Sequence, residues 1–366
     1  MKVLILSPKD GVVGGISIWT RNILRYCHDQ SKELTVELFD FSRTRTGQMI
    51  NNKFKRMFLA TYDYFGLTYK AVKVVRQFDG EVIHLCSSAS YLLIRDYIIL
   101  RCLKRSQKAK TCIHFHFGRI PELSKLRNWE WKLLKKVSML ADQVIVMDQL
   151  SCQVLLSDDL CNVVLLPNPL SDSVLNMIDE VDATREDRVI LFAGHCIPTK
   201  GVYELVEACR QITNIKLRMV GAISAEIKER LMILAGENNE WLEIIGQVSH
   251  EDTIRYMKSC DIFVLPTYTE GFPNVIIESM ACGCSIVASR VGAIPEMLEN
   301  ENGESYGVLI EPRSVNAIKE AIEMLLANQD LKKACGKNAK KRVCERYGIE
   351  NVANQLIGIW SGHFDK

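Results

Sequence analysis

Val189-Ile190-Leu191-Phe192-Ala193-Gly194-His195-Cys196-Ile197-Pro198-Thr199-Lys200-Gly201 decides how the chain folds. Its apolar residues run on without the alternation of a sheet wetted on one face. Such a strand is buried on both sides and belongs in a parallel sheet covered by helices. A glycine ends the run, a loop carrying a lysine follows, and Leu205, Val206, Cys209 and Ile212 then keep helical spacing. Strand, loop and helix in that order are the repeating unit of a doubly wound α/β domain.

Runs of the same kind recur on both sides of this stretch. The first half is expected to form strands at Val3–Ser7, Leu34–Phe39, Glu81–Cys86, Thr111–His116, Gln143–Met147 and Asn162–Leu166. The second half adds Val189–Ala193, Lys216–Val220, Leu242–Ile245, Ile262–Leu265, Ser285–Ala288 and Gly307–Ile310. Pro167-Asn168-Pro169 closes the first set and a polar stretch from Asp179 to Arg188 leads into the second. The reading is therefore two α/β domains, residues 1–170 and 171–348, with a last helix at about 349–366 whose Val352, Leu356, Ile359 and Trp360 share one face. A length of 366 residues suits two domains of ordinary size.

Composition narrows the class. With 48% hydrophobic and 25% charged residues the chain is neither disordered nor fibrous. No apolar run approaches the roughly 20 residues of a membrane span, and Val3-Leu4-Ile5-Leu6 is far shorter than the apolar core of a signal peptide. The 13 cysteines are odd in number and mostly lie in apolar stretches, where thiols in a reducing compartment behave as small buried hydrophobes. Cys282 and Cys284 have no second pair at metal-site spacing, so no metal is expected.

The near-neutral total conceals an asymmetry. Residues 1–170 hold 25 Lys+Arg against 15 Asp+Glu, a net of +10, while the remainder holds 21 against 29, a net of −8. Much of the positive charge (Arg43, Arg45, Lys53, Lys55, Arg56, Lys70, Lys73 and Arg76) is interleaved with Met49, Phe54, Met57, Phe58, Tyr62, Tyr64, Phe65, Leu67 and Tyr69. Residues 43–76 suit an anionic membrane surface, and equally a solvated helix face packed on a core. No groove-reading motif points to nucleic acid.

Three segments carry chemistry. Gly11-Val12-Val13-Gly14-Gly15 stands between the first strand and a helix with Ile16, Trp19, Ile23 and Cys27 on one face, which lets backbone approach an anion at the helix start. It lacks the G-x-G-x-x-G pattern and the following acidic residue of a dinucleotide site. In the second half Lys200 occupies the matching strand-to-helix loop, where an ammonium and a helix N-terminus can share one phosphate. Then comes Asp261-Ile262-Phe263-Val264-Leu265-Pro266-Thr267-Tyr268-Thr269-Glu270-Gly271-Phe272-Pro273-Asn274-Val275-Ile276-Ile277-Glu278. Here a loop carries Glu270, a helix is expected to open with Pro273 in its first turn, and Glu278 follows about a turn later. Two carboxylates flanking a helix N-terminus can accept hydrogen bonds from hydroxyls while the helix end takes a phosphate.

At these residues the chain resembles the retaining glycosyltransferase family 4 of the GT-B fold, also called group 1, and within it enzymes of capsular and surface polysaccharide synthesis. Glu270 to Glu278 matches the family's E-x7-E motif, Lys200-Gly201 its Lys-Gly loop, and Gly14-Gly15 its first-strand glycine loop. The resemblance reaches from Val3 to the segment Val291-Gly292-Ala293-Ile294-Pro295-Glu296. It implies two facing Rossmann-like domains with a cleft between them, the donor on the second, the acceptor on the first, and the last helix crossing back onto the first. It assigns the donor ribose to Glu278, sugar hydroxyls to Glu270, the diphosphate to Lys200, and sugar and phosphate to the backbone of Gly271, Phe272, Pro273, Asn274 and Val275. The Gly246-Gln247-Val248 loop would hold the base.

One position departs from the family: His195 stands where an arginine is usual, removing a fixed charge from the diphosphate site. A strand-end histidine beside the transferred sugar is also a family feature. His114 and His116 alternate onto one face, and His116, nearer the carboxyl edge, is the candidate catalytic partner of Glu270.

The implied activity is transfer of a hexosyl unit from a nucleotide-diphosphate sugar, with UDP favoured, to a saccharide or lipid-linked saccharide, with retention. There is no Asp-x-Asp metal motif, so no cofactor is expected. The expected location is cytoplasmic and peripheral, at the inner face of the plasma membrane. A nucleotide-sugar epimerase of the same fold, a phosphorylase-like enzyme, and a non-catalytic nucleotide-sugar-binding subunit are the alternatives.

Overall fold

In the computed structural model the apolar runs form two six-stranded sheets among the described residues, every pairing parallel. The structure describes residues 1–9, 15–30, 34–42, 53–105, 109–299 and 303–362, and residues 53–62 by backbone alone. Gly11 to Gly14, Arg43, Arg45 and Met49 lie outside the described residues, as do the side chains of Lys53, Phe54, Lys55, Arg56, Met57, Phe58 and Tyr62.

The chain divides into two compact units, residues 1–169 with 349–366, and residues 170–348. The first contains β1 (Lys2–Ser7), α1 (Gly15–Gln30), β2 (Thr35–Asp40), α2 (Lys53–Gln77), β3 (Val82–Ser87), α3 (Leu92–Lys104), β4 (Lys110–Phe115), α4 (Ile120–Leu126), α5 (Trp129–Leu140), β5 (Gln143–Val146), α6 (Gln149–Ser157) and β6 (Val163–Leu165). Its strand order is β2-β1-β3-β4-β5-β6. The second holds α7 (Asp172–Glu180), β7 (Val189–Ala193), a 3₁₀ turn (Pro198–Lys200), α8 (Val202–Cys209), β8 (Lys216–Val220), α9 (Ala225–Ala235), β9 (Leu242–Gly246), α10 (His250–Ser259), β10 (Ile262–Leu265), α11 (Asn274–Ala281), β11 (Ser285–Ser289), α12 (Ile294–Leu298), β12 (Val308–Ile310), α13 (Val315–Ala327) and α14 (Gln329–Tyr347). Its order is β12-β11-β10-β7-β8-β9.

Alternation along the first sheet splits its core in two. Leu4, Leu6, Ile83, Leu85, Ile113 and Phe115 face the layer containing α2, α3 and α5. Val3, Ile5, Val82, Cys86, Cys112 and Ile145 pack with α1 and with α15 (Ile349–Ser361). The segment α15 thus completes the first unit. Its Trp360 is buried to 2% exposure and donates Nε1–H to His84 Nδ1 at 3.1 Å, and Lys110 Nζ caps the Ile359 carbonyl at 2.7 Å.

Strand order also locates the binding edges. In a doubly wound sheet a ligand binds outside the carboxyl ends of the strands where the winding reverses. Winding reverses between β1 and β3 in the first unit and between β7 and β10 in the second. The loops leaving these four strands are those singled out above after β1, β7 and β10, together with the β3–α3 loop. There Ala89 and Ser90 both take left-handed backbone angles, at φ 70° and 59°.

Because α15 supplies one wall of the first core, Trp360→Ala should remove about 3–5 kcal/mol of stability. Urea unfolding followed by a probe in the first unit would register it. A midpoint unchanged from the parent chain would mean that α15 contributes no core packing.

Candidate functional site

The second unit gathers the charged residues of the motifs at its binding edge. The turn after β7 docks on the segment after β10: Tyr268 N–H donates to the Thr199 carbonyl at 2.9 Å, and Thr267 Oγ1 to the same oxygen at 3.3 Å. Docking this close requires Gly201. Its φ is +71°, and a Cβ there would lie 2.0 Å from the Pro266 carbonyl oxygen. Lys200 is consequently placed against Glu270, and Nζ and Oε1 form an ion pair with side chains only 25% and 13% exposed. The sequence reading gave Lys200 a phosphate and Glu270 hydroxyls; in the structure each is the other's counterion.

Glu270 is fixed from its far side too. Ala293 N–H donates to the Gly271 carbonyl at 2.9 Å, and Gly292, at φ +55°, sits where a Cβ would be 2.3 Å from the Glu270 carbonyl oxygen. Phe272, 7% exposed, packs edge-on against Tyr347, ring centroids 5.4 Å apart. Pro273 is not the first helical residue but the cap, with φ −76° and ψ 111°, and α11 opens at Asn274. A proline can hold this extended angle as readily as a helical one, and Ile276 N–H bonds back to its carbonyl at 3.0 Å. Asn274 and Val275 are half-buried at the helix start.

Glu278, in the second turn of α11, turns its carboxylate to a residue that sequence reasoning passed over. His250 Nε2 lies 3.2 Å from Glu278 Oε1. The carboxylate raises the His250 pKa, chiefly through this hydrogen bond and against the opposing effect of burial. The signal was present in the sequence. Ser249 caps α10 by accepting from Asp252 N–H at 3.0 Å while its hydroxyl donates to Asp252 Oδ2 at 2.7 Å, a serine N-cap that puts His250 on the first helical position. It follows directly on the Gly246-Gln247-Val248 loop, where Gly246 ends β9 at φ +86° and its carbonyl takes Gly221 N–H at 2.8 Å. Val248 is half-buried, and His195, at the end of β7, is exposed.

In the first unit Gly15 opens α1. His114 does share a face with His116, but β4 stops at Phe115, so His116 lies one residue past the strand. Its ring lies tilted against His114 with centroids 3.8 Å apart and meets Trp19 edge-on at 5.1 Å. Trp19 also stacks on His84 at 5.2 Å. Both ring nitrogens of His114 and His116, His84 Nε2 and Trp19 Nε1 are shielded and have no hydrogen-bond partner among the described residues. Burial pushes the pKa values of His84 and His116 down to about 3, and that of His114 well below the ordinary value. At neutral pH His116 is an uncharged ring, half-buried against this aromatic cluster.

Residues 176–342 match the family described as Glycosyl transferases group 1. The capsular polysaccharide biosynthesis glycosyltransferase CapM of Staphylococcus aureus is 31% identical over 47% of this chain and 46% of its own length. The chain thus spans about half the length of the curated relatives it matches. Among solved structures, sucrose-phosphate synthase from Thermosynechococcus elongatus has a TM-score of 0.76 at 20% identity, covering 99% of each chain. HepE of Anabaena, in complex with UDP, has a TM-score of 0.74 at 18% identity, covering 99% of this chain and all of that one. These solved structures share the fold, the GT-B class of two α/β units that the resemblance implies.

Two consequences can be measured. Gly292→Ala combines a left-handed angle with a backbone clash and should cost about 1–3 kcal/mol in the second unit, read as a lower Tm; full stability would refute the close packing of Gly292 on Glu270. For the histidine cluster the sign is set by folded pKa values below the unfolded 6.5: the unfolded chain takes up protons that the native core refuses, so stability falls as pH drops below about 6.5. Between pH 7 and 5.5 urea unfolding of the first unit should show a loss of about 1.4 kcal/mol for each buried histidine. A flat profile would mean that the rings are accessible.

Proposed function

We propose, from the membership of residues 176–342 in the group 1 glycosyl transferases, that this chain transfers a hexosyl unit from a nucleotide-diphosphate sugar to a saccharide or lipid-linked saccharide in surface polysaccharide synthesis. The observation that carries the reading is the meeting of Lys200, Glu270 and the start of α11 at the point where the second sheet reverses its winding. When the bond between the sugar carbon and the diphosphate breaks, negative charge grows on the leaving phosphate. An ammonium and a helix N-terminus fixed beside it stabilise that charge without having to reorganise.

Donor entry on this reading exchanges partners. The diphosphate takes Lys200 from Glu270, and the released carboxylate accepts hydroxyls of the sugar. Glu278 takes the ribose, and the 246–248 loop the base. HepE, a fold relative, is seen with UDP, which supports UDP as the nucleotide, and the role of CapM in capsular polysaccharide biosynthesis supports a surface glycan acceptor. Retention at the transferred carbon follows the family resemblance.

The first unit supports a peripheral membrane contact. On α2, Phe65 and Tyr69 are 57% and 73% exposed and continue into exposed Lys73 and Arg76 at helical spacing. Beside them, Tyr64 OH donates to the Tyr91 carbonyl at 2.8 Å, and exposed Tyr91 meets exposed Trp129 with rings 5.5 Å apart. No described helix is long and apolar enough to cross a membrane. Flotation with anionic vesicles at low salt should retain the protein, and Phe65→Ser with Tyr69→Ser should release it.

Donor binding is tested by thermal shift against UDP-, GDP-, ADP- and TDP-sugars, since a ligand selective for the folded state raises Tm with concentration. One nucleotide class should raise Tm, and Lys200→Ala or Glu278→Ala should abolish the rise. Absence of any shift would remove the donor site. Product formed from donor without acceptor would favour an epimerase. Binding without turnover under any acceptor would favour a non-catalytic subunit.

A further inference from the structure

The Glu278 carboxylate has one polar side-chain partner among the described residues, His250 Nε2 at 3.2 Å. The pair bridges two helices and a sequence separation of 28 residues. Neither α10 nor α11 needs it for its own termini: Ser249 caps α10, and Pro273 caps α11. The His250 side chain is 45% exposed and so is not a core residue, whereas Glu278 is only 15% exposed. Position also argues for a purpose. A helix N-terminus repels positive charge, yet the imidazole at the first position of α10 is held closer to its charged form by Glu278.

We infer that His250 is the positioning residue of the nucleotide site: by donating Nε2–H to Oε1 it holds the Glu278 carboxylate so that its remaining lone pairs accept the hydroxyls of a ribose. This rests on the reading of Glu278 as the ribose carboxylate. An ionised carboxylate has about four acceptor positions. One donor on Oε1 leaves enough for a vicinal diol, and a carboxylate already fixed loses no further freedom when the diol arrives. The same short segment then serves two parts of one nucleotide, with Gly246 to Val248 at the base and His250 behind the ribose.

The test compares the tightest binder among UDP, GDP and ADP with its 2′-deoxy counterpart, by calorimetry on the full chain. The parent should prefer the ribonucleotide by at least about tenfold, because a site built for a hydroxyl rejects the analogue lacking it. His250→Ala should bind the deoxynucleotide as the parent does and lose most of the preference. His250→Gln, whose amide also donates to a carboxylate, should restore it. A purely structural role would weaken both nucleotides together, and that result, or a preference intact in His250→Ala, overturns the inference while leaving the nucleotide site standing. A parent chain that binds none of the three nucleotides overturns the site and this inference together.

Discussion

The carbonyl oxygens of Pro266 and Glu270 occupy the places where side chains of residues 201 and 292 would have to be. That steric constraint organises the binding edge of the second unit. With glycine at both positions, the turn bearing Lys200 and the loop preceding α12 close on the β10–α11 segment from two sides. Glu270 is held between them at little conformational cost of its own. A Cβ at either site would drive backbone from backbone, and no rotamer change could relieve it. The charge pair is thus a product of close packing, since a surface lysine and glutamate left to find each other contribute little.

The two units share a winding rule and use it with opposite chemistry. At the edge of the second, ammonium and carboxylates are paired but not sealed: Lys200, Glu270 and Glu278 all keep some exposure. On one face of β3 and β4 in the first, three histidines and a tryptophan form a cluster of uncharged rings. Desolvation of an imidazole without a counterion favours its neutral form, which is why ring packing and depressed pKa values occur together. Charge in the first unit lies outside this cluster, on helix faces such as that of α2, in keeping with its positive balance.

The fold was legible because parallel strands are apolar on both faces, and an unbroken run of Val, Ile, Leu and Phe survives in any register. Val189–Ala193, Lys216–Val220 and Ile262–Leu265 have the bounds that their composition indicates. The ends of the others move by one residue, as at His116, because ends are set by where the chain turns and not by what it buries. Glu270, Glu278 and Lys200 were legible as charged residues next to predicted strand ends and a helix start. What spacing could not show is who partners whom. The Lys200–Glu270 and His250–Glu278 pairs span 70 and 28 residues, and Trp360 reaches His84 across 276. No periodicity encodes such contacts. Pro273 shows the same limit locally, since its fixed φ suits either the cap or the first turn and only the angles of its neighbours decide.

An edge built of internal pairs also says what kind of ligand it tolerates. Lys200 and Glu270 together present little net charge, so neither is a lone ion whose desolvation goes uncompensated. On the proposed reading, binding exchanges one ion pair for another, of ammonium with phosphate, and frees a carboxylate for the hydroxyls of the sugar. A neutral sugar lacking the diphosphate has no means of displacing Glu270. Selectivity for a sugar carried on a phosphate would therefore reside in the pairing itself, before any contact with the sugar is made.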